Sequence, residues 1–213
     1  MYLPPHFEET RTDVLHGLIA AHPLGALVRV GPTGLDADHV PFHLDRDGSP
    51  HGRLMAHVAR ANPLWQELRT GEHVLVIFRA AQAYISPNWY PSKHESHRQV
   101  PTWNYQVVHA HGTLTLHDDA RFVRGVVAHL TREHEAATGA ARPWKMGDST
   151  PEYIDGMLAN IVGLEVTVSR LVGKWKLGQN KEERDRRGAV EGLRERGEDA
   201  TADAMSTTLK PAR

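Results

Sequence analysis

The feature that most constrains this chain is a succession of strand-length apolar runs broken by Gly and Pro turns, without strand-helix-strand alternation. LGALVRVG (24–31), GLDADHVPFHLD (34–45) and GRLMAHVAR (52–60) follow one another across Gly31-Pro32-Thr33-Gly34 and Asp47-Gly48. Turns this short join neighbouring strands antiparallel, because a parallel pair needs a crossover of a dozen or more residues. HVLVIFRA (73–80) is a continuous apolar run and reads as a buried strand; TWNYQVVHAHGTLTL (102–116) alternates as one long or bent strand, and LEVTVSRLVGKWKL (164–177) is the last. About six strands joined in this way imply a mainly β chain with helices (α+β), an antiparallel barrel with helical additions rather than a doubly wound sheet.

Helices punctuate the meander. Val14, Leu15, Leu18 and Ile19 form a helical stripe ended by Pro23, with Thr12 or Asp13 as N-cap. Asn62-Pro63 opens a short helix through PLWQELRTG, because Asn caps and Pro suits the first helical position. Asp118-Asp119 starts a longer one carrying Phe122, Val123, Val126, Val127 and Leu130 to about His134, and PEYIDGMLANIVG follows after a polar loop. Past Asn180 the chain becomes charged and poor in large apolar residues, so residues 1–180 read as one domain and 181–213 as a charged C-terminal extension, partly helical or flexible.

Charge and composition exclude several functions. Lys+Arg 25 against Asp+Glu 26 gives a formal charge of −1, so no global pull toward nucleic acid or anionic membrane exists and any anion site is local. Cysteine is absent, which removes disulfides and thiolate chemistry and fits a reducing, cytoplasmic setting. No run approaches the ~20 apolar residues that cross a bilayer. The 15 histidines are scattered without an HExxH, and the tightest pair, His109 and His111, shares one strand face, so no metal site is expected.

Three segments carry chemistry. In AHVARANP, alternation turns Leu54, Ala56 and Val58 one way and Met55, His57 and Ala59 the other, and Arg60 emerges just before Ala61-Asn62-Pro63. A guanidinium beside free helix N–H groups can cradle a phosphate, although an Arg after a strand is ordinarily a solvated charge. In GKWKLGQN, Lys174 and Lys176 share a face opposite Trp175 and Leu177, with Gln179 and Asn180 just beyond; two like charges so close invite an anion between them. The third segment runs from AYISPNWYPSK to VPTWNY. Five of the chain's 14 Phe, Tyr and Trp residues fall between Tyr84 and Tyr105 there, interleaved with Ser86, Asn88, Ser92, Lys93, Thr102 and Asn104 and held out of regular structure by Pro87, Pro91 and Pro101. Aromatic planes among dense donors and acceptors suit a flat heterocycle, so together the segments offer what a flavin or pyridoxal mononucleotide needs. Neither GxGxxG, GxxxxGK[ST] nor GxSxG occurs.

MYLPPHFEET, AHPLGALV, GLDADHVPF, HVARANPLW, AYISPNWYPSK, VPTWNYQVVHAHG and GKWKLGQN, in this order, resemble the PaiB-like family of FMN-binding negative transcriptional regulators, from Met1 to about Asn180. The resemblance implies an FMN-binding split barrel related to pyridoxamine phosphate oxidases, usually a homodimer with flavin at the subunit interface. It also implies that the proline-held aromatic stretch walls the flavin pocket. The phosphate would meet the corner of Arg60, Ala61 and Asn62, with Lys93 or Lys176 as second cation. The ring would lie near His57, Ser86, Thr102, Trp103 and Asn104, with Trp175 and Gln179 arriving from the last strand. Where the family commonly has KLSQN, this chain has Gly178 in place of the serine. DNA binding is weakly supported by charge, since Lys174 to Arg196 holds only a mild basic excess and no helix-turn-helix spacing is present. The rival readings are an FMN-dependent oxidoreductase of a small molecule and a non-catalytic flavin or heme binder.

Overall fold

The structure, a computed structural model, describes residues 1–47 and 49–209. Gly48 of the expected Asp47-Gly48 turn and the last four residues of the expected tail lie outside the described residues. Among the described residues eight strands are formed: β1 (Glu8–Glu9), β2 (Leu24–Gly31), β3 (Gly34–Pro41), β4 (His43–Asp45), β5 (Arg53–Ala59), β6 (His73–Ile85), β7 (Thr102–His117) and β8 (Ile161–Lys176). The helices are α1 (Thr12–Ala21), α2 (Leu64–Glu67), α3 (Pro91–Ser96), α4 (Ala120–Ala137), α5 (Pro151–Leu158), α6 (Glu183–Glu195) and α7 (Asp199–Ser206). The run 34–45 is two strands because Phe42 leaves the ladder to bury its ring edge-to-face against Phe78, centroids 5.8 Å apart.

The chain folds as two compact units. One comprises His16–Phe78 and His109–Leu171; the other comprises Met1–Leu15, Arg79–Val108 and the segment from Val172 onward. In the first unit the hydrogen-bonded strand order is β3-β2-β6-β7-β8-β5-β4, and every register-resolved pair is antiparallel. Alternation does what the pattern requires: Leu54, Ala56 and Val58 are buried while Met55 and His57 are only half-buried. Leu27, Val76, Ala110, Leu114, Leu164 and Val166 complete the buried face. Gly25 is needed there, since a Cβ would lie 2.7 Å from Val76 and 2.8 Å from Phe78. His109 and His111 share a face, centroids 6.4 Å apart. α4 begins as expected, with the Asp119 carboxylate accepting the Phe122 N–H at 2.7 Å.

The other face of the β3-β2-β6 ladder is largely apolar, with half-buried Ala26, Val28, Leu75 and Ile77, exposed His39 opposite Ala26, and an open end. Val30, 70% exposed, lies opposite Leu35, 80% exposed; Val28 pairs with Leu75 and Ala26 with Ile77.

In the second unit the far ends of β6, β7 and β8 carry a core of their own. Ala83, Ile85, Tyr90 and Leu177 pack with Ala189, Val190, Leu193, Ala202 and Met205, and Trp89 and Trp175 lean on this cluster. The segment 183–206 is therefore two packed helices whose apolar residues are buried. Two expectations are corrected. The short helix after Asn62-Pro63 is one turn only, because Leu68 already has extended φ and ψ. The stretch 83–93 is regular: β6 runs on to Ile85, Pro87–Trp89 is a 3-10 turn, and Pro91 occupies the first position of α3.

Candidate functional site

Alternation at the end of β8 sends Lys174 and Lys176 to one side and Trp175 and Leu177 to the other, where Leu177 is fully buried. Lys174 is only 8% exposed; its ammonium donates to the Tyr2 carbonyl at 3.0 Å and lies 5.4 Å from the Tyr105 ring centroid and 5.7 Å from that of Tyr2. Lys176 donates to the Trp103 carbonyl at 2.6 Å and to the Thr102 hydroxyl. Among the described residues neither ammonium has a carboxylate within ion-pair distance. Burial, and then the charge of Lys174, pull the Lys176 ammonium below the ordinary lysine value of 10.5. A buried cation beside a half-buried one, without a counter-ion, is the condition an anionic ligand relieves. Beside it, Trp103 (50% exposed) and Tyr84 (42%) meet edge-to-face at 6.4 Å, leaving aromatic surface open to a planar group.

The other expected site residues of this unit have local partners. Ser86 caps the 3-10 turn by accepting the Asn88 N–H at 3.2 Å. Lys93 is half-buried in α3. Gln179 donates to the Trp175 carbonyl at 2.6 Å and accepts the Leu177 N–H at 2.8 Å, closing a turn in which Gly178 has φ +83. That left-handed backbone favours the glycine found where the family commonly has serine. Asn104 is 1% exposed and its amide approaches the Met205 sulfur at 3.3 Å, but its Oδ1 has no partner. Trp175 packs on the cluster with α6 and α7, as do Trp89 and Tyr90. The aromatic stretch is thus divided, with Trp89 and Tyr90 in a core and Tyr84 and Trp103 at a surface.

In the other unit Arg60 ends β5, and its guanidinium is fully engaged. It donates to both oxygens of Asp118 at 2.5 and 3.1 Å, to the Ala159 carbonyl at 2.8 Å and weakly to that of Ile161, and its Cζ lies 5.6 Å from the Trp65 ring centroid. The pair holds the Asp118 carboxyl below its ordinary value. Ala61 is exposed, and Asn62 accepts the Leu64 N–H at 2.8 Å while donating to Asp38 at 3.0 Å. Behind that contact lies a group the sequence reading missed: Arg29, its side chain 3% exposed, faces Glu67 at 2.7 Å, Asp36 at 3.1 Å and Asp38 at 3.8 Å. The signal was present, since Arg29 shares strand parity with Leu27 and so points inward. His57 has a buried Nδ1 without a partner, and burial lowers its pKa from the ordinary 6.5. Among the described residues no group of three or more His, Asp or Glu side chains is placed to hold a metal ion.

The residues present fit a flavin mononucleotide. Within the second unit, two ammonium groups without a carboxylate partner and a hydroxyl suit a phosphate, open aromatics suit a ring, and Asn104 Oδ1 is a buried polar atom without a partner. At the Arg60 corner a phosphate would have to displace Asp118.

Fold and site together define a flavin-binding split-barrel protein with helical additions. Residues 1–170 match the family described as "Putative FMN-binding domain", and the chain belongs to that family, whose cofactor is FMN. It is 28% identical over 193 residues to the protease synthase and sporulation protein PAI 2 of Bacillus subtilis, covering 91% of this chain and 89% of that one, which bears out the PaiB-like resemblance. An uncharacterised protein of Emericella nidulans is 30% identical over 233 residues, covering 94% of this chain and 93% of its own. Among solved structures, the FAD and heme binding protein from Mycobacterium smegmatis superposes with a TM-score of 0.58 at 19% identity over 80% of this chain and 74% of that one, a likeness of fold. Among the described residues no helix is long and apolar enough to cross a membrane.

Proposed function

We propose that this protein is a cytoplasmic FMN-binding homodimer that acts as a PaiB-like negative regulator of transcription. The observation that carries the flavin reading is the neighbouring pair of buried Lys174 and half-buried Lys176, without a counter-ion among the described residues, with Lys176 bonded to Thr102 and Trp103. In this reading the ammonium groups and the Thr102 hydroxyl take the phosphate, and Trp103 and Tyr84 offer their faces to the ring. Ser86 and Gln179 hold the surrounding backbone, Lys93, Asn104 and Trp175 are further candidate contacts, and His57, Arg60, Ala61 and Asn62 of the other unit form a separate candidate set. Bound FMN supplies one- and two-electron redox chemistry. The regulator reading is supported by likeness to PAI 2, and the dimer reading by the open apolar face of Val30 and Leu35, which a second copy would cover.

A second reading, an FMN-dependent oxidoreductase of a small molecule, is favoured by the arginines of α6. Arg184 pairs with Glu95 and Glu182, Arg194 lies near Asp203, and Arg186 donates to the Thr208 carbonyl, so the basic excess of this stretch is largely neutralised. Absorbance of the purified protein, repeated after adding FMN, tests the cofactor; a protein that stays colourless refutes it. Salt-sensitive, sequence-selective operator binding supports the regulator. Flavin reduction by a nicotinamide donor without operator binding supports the enzyme. For the dimer, the paired substitution Val30→Asp, Leu35→Asp should give a monomer in sedimentation; an unchanged mass would place the interface elsewhere.

A further inference from the structure

The first unit holds a cleft that the flavin reading does not use. It lies between the C-terminal half of α4 and the loop Pro143–Met146, encloses about 320 Å³, and falls within the ~300–1,000 Å³ usual for small-molecule sites. Its body is apolar: Ala128, Ala136, Pro143, Trp144 and Met146 line it, and Trp144 remains 42% exposed. Met146 also packs on the cluster of Val123, Ile154 and Leu158, which anchors the far side of the loop. The near side is pinned by Glu135, whose carboxylate accepts the Trp144 N–H at 2.9 Å.

The charges of the cleft are unbalanced. Arg132 and Lys145 both line it, and among the described residues neither has a carboxylate partner within ion-pair distance; Arg132 spends one N–H on His129 Nδ1 at 2.7 Å. Glu135 also lines the cleft, so its two cations outnumber its carboxylate; Glu135 is held by the Trp144 N–H, and Asp148 nearby by the Lys145 N–H at 2.9 Å. The cleft therefore presents an indole face, an apolar floor and two available cations. We propose that it binds a small monoanion with a flat apolar body, of the aromatic carboxylate or sulfonate class. The ring would lie against Trp144 and Met146, and the anionic group would reach Arg132 and Lys145.

The test uses the full-length, FMN-loaded protein and 2-naphthoate as probe, with 2-naphthamide as its uncharged counterpart, followed by calorimetry or ligand-observed NMR. Expected are one saturable naphthoate site and amide binding at least fivefold weaker. A comparable fivefold loss is expected in the double variant Arg132→Gln, Lys145→Gln, whose exposed positions leave the fold intact. Ala128→Phe, which fills the cleft, should abolish binding at an unchanged melting temperature. Equal affinity for acid and amide, an unaffected double variant, or binding that vanishes as self-association rises would each overturn the proposal; the last would mean that a second copy occupies the cleft. The flavin spectrum is read in every variant, so loss of FMN is distinguished from loss of this site.

Discussion

Replacing Lys176 by Met tests the flavin site where its electrostatics are most exposed to measurement. The ammonium donates to the Trp103 carbonyl and the Thr102 hydroxyl, and burial together with Lys174 already disfavours its charge. Met keeps the apolar stem and removes the charge, so two modest hydrogen bonds, about 1 kcal/mol each, are lost while repulsion from Lys174 is relieved. Net stability should stay within about 1 kcal/mol of the parent. FMN affinity should not: losing a charge-assisted bond to phosphate costs about 1.5–3 kcal/mol, roughly a tenfold to hundredfold rise in Kd. The pH dependence supplies an independent sign. Because the folded-state pKa is depressed, the unfolded chain holds this proton more tightly, so Lys176 makes stability rise with pH between its depressed value and 10.5. A bound phosphate favours the charged form, so FMN affinity should fall as pH climbs past the depressed value, and the fall should flatten in the Met variant. Titration of flavin fluorescence against pH measures both, and a Lys176→Met protein with parental Kd and parental slope would refute the reasoning.

Three further outcomes are expected. Gly192→Ala puts a Cβ about 2.4 Å from the Trp89 ring, so the gain in helix propensity of about 1 kcal/mol should be outweighed by an overpacking cost of about 1–3 kcal/mol, seen as a lower melting temperature. His57 is held neutral by burial, so its folded pKa lies below 6.5; stability should drop as pH falls through 6.5 toward that lower value, and His57→Gln should remove this component from a urea-midpoint profile. Arg60→Ala breaks an exposed, solvent-screened pair with Asp118 and should leave the melting temperature close to that of the parent. If it also raises the FMN Kd tenfold, the guanidinium exchanges Asp118 for phosphate in the bound state; an unchanged Kd removes the corner from the site.

Much of this protein was written in local pattern. Period-two alternation set the faces of β5 and of the end of β8, so Lys174 and Lys176 could be read as neighbours opposite Trp175 and Leu177, and capping chemistry set the start of α4 at Asp119. These features depend on a few consecutive residues and on backbone geometry, which sequence spacing carries directly. The partners of the polar groups were not legible. Arg60 meets Asp118 from 58 positions away, Lys176 meets Thr102 from 74, and Asn104 meets Met205 from 101. Trp89 and Tyr90 looked like pocket walls until α6 and α7 were seen packed on their cluster, and the three carboxylates around Arg29 come together from β3 and α2. Alternation says which way a side chain points, whereas the register of distant strands and the docking of late helices decide what it finds there. That is why the sequence alone determined the barrel and its candidate cations, and only the tertiary structure decided which cations were left without a counter-ion.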